Sequence, residues 1–133
     1  RIMEMKYCYL VAVKGRIDSV TSSELEKELM EIIAGVKWLK DHPSNEIGPH
    51  GSTTSEIPVK CRNIVVNIGG VDYISSAGMK ALLWAVMKVR RMIPSGDVVV
   101  SEMKPRLKET FELIGFSHLF KFYDEDVEAV GSF

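Results

Sequence analysis

Cysteine is scarce in this chain: Cys8 and Cys61 are the only two in 133 residues. Neither has a histidine close by in sequence, so no metal-ligand spacing arises. A domain of this length buries roughly two-thirds of its unfolded surface and needs neither disulfide nor metal to hold together. Both thiols sit in apolar, strand-like surroundings and read as buried, reduced cysteines of a cytoplasmic protein. Long hydrophobic runs are missing too. Nothing approaches the ~18 consecutive apolar residues that cross a bilayer, so no membrane insertion is expected. No signal-peptide pattern is visible at the start. The first residue is Arg1 rather than methionine, as in a chain excised from a longer protein. Charge of one sign is absent: 17 Lys and Arg face 18 Asp and Glu, for a net charge of −1. That leaves no overall field to attract nucleic acid. Catalytic signatures are lacking as well. There is no Gly-x-Ser-x-Gly elbow and no phosphate-binding Gly-rich loop ending in Lys-Ser/Thr. None of His42, His50 and His118 has a context that marks a base. A non-enzyme without cofactor or metal is expected.

What is present alternates between strand and helix patterns. Tyr7 to Val13 is an apolar β-prone run, and Ile2 to Met5 is a candidate short strand before it. Thr21 followed by Glu24 has the spacing of a capping box. Leu25, Leu29, Ile32, Ile33, Val36 and Leu39 then recur at helical spacing, predicting one amphipathic helix of about 18 residues. Its charged, mainly acidic face (Glu24, Glu26, Lys27, Glu28, Glu31) reads as solvated. From about residue 41 to 60 the pattern breaks, with Pro43, Gly48, Pro49, Gly51 and Pro58, which predicts a long mobile loop. Asp97 to Ser101 is the next strand. Pro105 opens a helix ended by Gly115. Phe116 to Tyr123 leads through a short last strand, and Asp124 is placed to cap a final helix over Glu125–Val130. In the helix that follows Ser75-Ser76, Trp84 and Met87 are either core or partner-facing, core being the commoner role for such residues at helical spacing. Lys88-Val-Arg-Arg falls at that helix's C-terminus, where cations complement its negative end. The expected fold is α/β: one domain over 1–133, with a mixed sheet of four or five strands.

The most informative stretch runs from Ile64 to Val86. Ile64 to Ile68 is a β-branched run, and Gly69-Gly70 is expected to end it. Ser75-Ser76 then precedes a helical period through Met79, Leu82, Leu83 and Val86. A serine in that place can accept from an orphan N–H of the first turn. The same place tolerates an anion, because free N–H groups and the positive end of the helix dipole meet there. Two readings follow from spacing: a cap plus a small turn residue, or a phosphorylation site whose ~−1.5 to −2 charge changes the surface without refolding the chain.

At these residues the sequence resembles the STAS domains, specifically the bacterial anti-sigma factor antagonists. Ile64-Val-Val-Asn-Ile-Gly-Gly-Val-Asp-Tyr-Ile-Ser-Ser-Ala-Gly-Met-Lys-Ala-Leu-Leu is similar to the family signature. Upstream, Gly15-Arg-Ile-Asp-Ser resembles its second landmark. The resemblance spans nearly the whole chain except about 41–60, and it implies helices mainly on one face of the sheet. By the same resemblance Ser76 is the phosphate acceptor, with Ser75 as the alternative; many members carry aspartate where this chain has Ser75. Asp18, Ser19, Thr21, Ser75, Ser76, Gly78 and Met79 are the implied partner surface. Gly78, lacking a side chain, is expected to let a partner approach the helix start. The implied partners are an anti-sigma factor that is also a serine kinase, and a serine phosphatase. The alternative is an unphosphorylated STAS scaffold or regulatory domain of a larger assembly or anion transporter.

Overall fold

Ile64, Val65, Val66 and Ile68 are all fully buried, which a strand covered on both faces requires. They form the centre of a mixed five-stranded sheet in a computed structural model that describes residues 1–43 and 57–133. The strands are β1 (Ile2–Glu4), β2 (Tyr9–Ile17), β3 (Asn63–Ile74), β4 (Asp97–Ser101) and β5 (Phe122–Tyr123). They lie side by side in chain order. β1 and β2 form an antiparallel pair with Met3 opposite Leu10. All the other pairings are parallel.

The helices are α1 (Thr21–Ile33), α2 (Val36–Asp41), α3 (Ser76–Arg90), α4 (Pro105–Leu113) and α5 (Asp126–Gly131). Alternation along β3 divides them between two faces. Ile64, Val66 and Ile68 join Leu25 and Leu29 of α1, Leu82 and Val86 of α3, and Leu107 and Phe111 of α4 in the main core. Val65 points the other way, to Cys8, Val99 and Ala129 of α5. So α1, α3 and α4 cover one face, and the short α5 covers part of the other. Each fully buried aliphatic side chain contributes about 1.5–3 kcal/mol. α5 is pinned by a polar contact as well: Asp126 accepts from Asn67 Nδ2 at 2.9 Å and from the buried Ser101 Oγ at 2.6 Å. Phe111 packs edge-on against Phe120 and Phe122, which ties α4 to the last strand.

Several expectations are corrected. β2 starts at Tyr9 rather than Tyr7 and runs on through Gly15-Arg16 to Ile17. β3 does not stop at Gly69-Gly70 but continues to Ile74. A Cβ on Gly70 would lie 2.7 Å from the Cβ of Lys14, so that glycine marks close strand approach. The first helix divides at Gly35, whose φ of +82° is left-handed and ends α1 before α2 begins. The capping box does not form. The N-cap residue of α1 is Val20, without a side-chain bond, and Asp18 takes over that role. The N-cap residue of α5 is Glu125, not Asp124. Met87 is 43% exposed and stands off the core, whereas Trp84 is half-buried and packs against it. Gly115 lies just past α4 in the left-handed region, as expected.

The expected loop lies largely outside the described residues, His50 included, but its flanks are ordered. α2 reaches Asp41, and a 3-10 turn spans Val59–Arg62. His42 stacks on Trp38 with ring centroids 4.5 Å apart. Both flanks meet β1 at Glu4, which accepts from Lys60 Nζ at 2.5 Å and contacts His42 Nε2 at 2.8 Å. Partial burial alone would raise the Glu4 carboxyl; the hydrogen bonds from Lys60 and His42 outweigh it and hold the carboxyl lowered. Cys8 and Cys61 are buried free thiols. Burial pushes Cys61 up to about 11.

Candidate functional site

The end of β3 delivers Ser75 to the start of α3. Its φ and ψ of −79° and 168° are extended, and its Oγ accepts from the N–H of Gly78 at 3.1 Å. Ser75 is therefore the N-cap. Its carbonyl accepts from Met79 N–H at 3.0 Å. Ser76 is the first helical residue and is exposed. Among the described residues its hydroxyl makes no hydrogen bond. The N–H groups of Ser76 and Ala77 have no intrahelical acceptor, as helix geometry dictates.

The second landmark lies directly beside the first. The N–H of Ser75 donates to the carbonyl of Ile17 at 2.7 Å, joining the ends of β2 and β3. After Ile17 the chain turns through Asp18. Its Oδ1 accepts from the N–H groups of Val20 and Thr21, each at 3.0 Å, and lies 3.1 Å from Thr21 Oγ1. Thr21 Oγ1 in turn accepts from Asp18 N–H at 2.8 Å. The backbone and hydroxyl bonds from Thr21, then the N–H of Val20, hold the Asp18 carboxyl below the usual range. Ser19 is exposed at the crest of the turn, and its carbonyl accepts from the Ser22 hydroxyl at 3.1 Å.

The expected surface residues thus fall into two groups. Asp18, Ser19, Thr21, Ser75 and Ser76 lie on adjoining segments at the exposed or half-buried rim. Gly78 and Met79 are buried. A Cβ on Gly78 would lie 2.6 Å from Ile17 Cγ2 and 2.8 Å from Ile74 Cγ1. Its missing side chain therefore lets α3 seat on the sheet; access for a partner is not what it provides.

Two rim features had no sequence signal. The guanidinium of Arg16 lies 4.3 Å from the centroid of the Tyr73 ring, a cation–π contact. Lys104 Nζ donates to Asp72 at 2.7 Å, and that bond with the lysine's charge lowers the Asp72 carboxyl. The first depends on strand register, which places Arg16 opposite Tyr73; the second joins the end of β3 to the start of α4. A groove of about 480 Å³ between β2 and α1 borders the rim and is lined in part by Lys14, Arg16, Thr21, Glu24 and Glu28. Among the described residues no group of three potential ligands could hold a metal, and no helix is long and apolar enough to cross a membrane.

The sequence matches the STAS domain family over residues 4–129. The chain belongs to the STAS domain family. A relative of this STAS domain, the candidate anti-sigma factor antagonist BtrV of Bordetella bronchiseptica, is 35% identical over 72 residues. That stretch spans 54% of this chain and 60% of the relative's length. Among solved structures, an anti-sigma factor antagonist from Mycobacterium paratuberculosis superposes with a TM-score of 0.71 at 20% identity, over 99% of this chain and 90% of that one. SpoIIAA of Bacillus, solved in its phosphorylated form, superposes with a TM-score of 0.62 at 10% identity, over 99% of this chain and 96% of that one. Those two likenesses establish that the STAS fold is shared.

Proposed function

We propose that this STAS domain is an anti-sigma factor antagonist switched by phosphorylation of Ser76. Unphosphorylated, it binds an anti-sigma factor that is also a serine kinase. Phosphorylation releases it, and a serine phosphatase resets it. It works as a binding module in the cytoplasm, as one domain over residues 1–133, without cofactor, nucleic-acid contact or membrane insertion. The reading draws support from the names of its relatives and from one observation above all: the two serines divide their work. Ser75 Oγ is committed to the Gly78 N–H, whereas Ser76 is exposed. Ser76 is thus the freer acceptor, and Ser75 the alternative.

The chemistry follows from that position. The kinase breaks the bond between Pγ and ADP and forms a Pγ–Oγ bond at Ser76, and the hydroxyl proton passes to a base of the kinase. The product adds ~−1.5 to −2 charge where the N–H groups of Ser76 and Ala77 and the helix dipole tolerate it. The fold therefore persists while the surface formed with Asp18, Ser19 and Thr21 becomes strongly anionic. A partner packed there must desolvate that charge or leave. The test is calorimetric titration with the cognate anti-sigma factor before and after phosphorylation. Weakening of about tenfold or more, equal to ~1.4 kcal/mol, is expected; equal affinity contradicts the switch.

A further inference from the structure

The outward face of α3 carries cations and apolar groups but no acid. From Ser76 to Arg91 the chain holds Lys80, Lys88, Arg90 and Arg91, and not one Asp or Glu. Arg90 is engaged with Asp97 at 3.0 Å. Among the described residues Lys80, Lys88 and Arg91 form no ion pair. Lys80, Trp84, Met87, Lys88 and Arg91 follow the spacing of a single helical face. The last four, with Met92, line a groove of about 370 Å³. Met87 is 43% exposed there, and Ile93 just beyond it is 93% exposed. The opposite side of α3 already fills the core with Met79, Leu82, Ala85, Val86 and Val89. Trp84 and Met92 rest their inner sides on the main core, and their outer sides, with Met87 and Arg91, leave an open groove of residue types enriched at protein interfaces.

We propose that this groove docks an acidic amphipathic helix of a partner protein. The apolar ridge of that helix lies on Trp84, Met87 and Met92, and its carboxylates face Lys80, Lys88 and Arg91. Charge selects the occupant: three unpaired cations on a helix that carries no acid of its own attract carboxylates, repel a basic segment and give a neutral one no electrostatic gain. Shape selects against a flat bilayer, because a groove receives a ridge of side chains. The chain's own acidic helix is a poor match. α1 is held to the sheet by Leu25, Leu29 and Ile32, and its Glu24 and Glu28 line the groove beside β2. Lys80 lies one turn from Ser76 and Lys88 about 18 Å along the axis from it. The groove is thus a second foothold on the helix that bears the switch. Assigning the docked helix to the protein that reads Ser76 rests on the antagonist reading; the chemistry of the groove does not.

The experiment uses unphosphorylated protein with isotope-labelled Trp indole and Met methyl groups. It is titrated in parallel with a synthetic helical peptide bearing leucines on one face and glutamates on the other, with the same peptide bearing lysines, and with phosphatidylserine vesicles. Saturable shifts at Trp84, Met87 and Met92 are expected with the glutamate peptide alone, weakening as salt rises. The double variant Lys88→Glu/Arg91→Glu should lose about tenfold or more in affinity, equal to ~1.4 kcal/mol. Should it fail to fold, Lys80→Glu and Met87→Ser at exposed positions serve instead. The titration uses unphosphorylated protein and no kinase, so its outcome does not depend on the fate of the switch. Absence of saturable binding, equal binding of the two peptides, or preferential capture by the vesicles overturns the proposal.

Discussion

The N–H of Ser75 donates to the carbonyl of Ile17 at 2.7 Å. That bond fastens the start of α3 to the end of β2. It brings two motifs nearly sixty residues apart in sequence onto one rim. The Asp18 turn follows on one side, and exposed Ser76 on the other. Both sides of the rim are closed by local hydrogen bonds, one between Asp18 and Thr21, the other between Ser75 and Gly78.

Ser75→Ala removes the acceptor for the Gly78 N–H. Loss of such a cap costs about 0.5–2 kcal/mol. Ser75→Asp keeps an acceptor and puts a negative charge at the helix N-terminus, so it should stay near wild type. Thermal unfolding followed by circular dichroism checks both; an unchanged midpoint for the alanine variant contradicts the capping role.

Gly78→Ala drives a methyl to 2.6 Å from Ile17 Cγ2 and 2.8 Å from Ile74 Cγ1. Overpacking of this kind costs about 1–3 kcal/mol. Ile17→Ala removes Cγ2, the methyl in that contact, so the double variant should couple favourably rather than add. Denaturant unfolding of the cycle decides the point: simple additivity would mean that α3 relieves the clash by shifting.

Asp18 supplies the pH-dependent part of the rim. Its folded pKa is lowered by the Thr21 backbone and hydroxyl bonds and by the Val20 N–H. A lowered carboxylate contributes stability above its unfolded pKa, ~3.9, and loses it as pH falls through the folded value. The stability gap between wild type and Asp18→Ala should therefore be full at neutral pH and narrow in acid. Urea titrations at neutral pH and below the usual carboxylate range test this. A gap of constant size assigns the turn's stability to something other than the ionised carboxylate.

Tyr9 is fully buried in the main core, and among the described residues its hydroxyl has no hydrogen-bond partner. An unsatisfied buried polar group costs about 1–3 kcal/mol. Tyr9→Phe deletes that group and keeps the ring, so stability should hold or rise. A loss of more than about 1 kcal/mol would reveal a hydrogen bond of that size.

Local signals were legible where the local partner was also the true one. The serine before α3, the extent of that helix to Arg90, the strand at Asp97–Ser101 and the glycine after α4 all follow from neighbours within a turn. Contacts and backbone angles that periodicity does not contain overrode the rest. Gly69-Gly70 reads as a stop, yet Gly70 belongs to β3 because Lys14 crowds it from the adjacent strand. Thr21 and Glu24 have capping-box spacing, but Arg16 and Asp18 engage the threonine hydroxyl first. Gly35 looks like a tolerated helix interior until its left-handed φ is seen. At the rim, the serines were legible, while Arg16 over Tyr73 required a parallel register that periodicity does not contain.

Phosphopeptide mapping by mass spectrometry bears most directly on the switch. Wild type, Ser76→Ala and Ser75→Ala are incubated with ATP and the cognate serine kinase, with kinase activity verified on a control substrate. The expected result is one phosphate on Ser76, absent from Ser76→Ala and retained in Ser75→Ala. A phosphate on Ser75 instead would contradict the division of labour between the two serines. With the kinase active, no phosphate on either would contradict the switch itself.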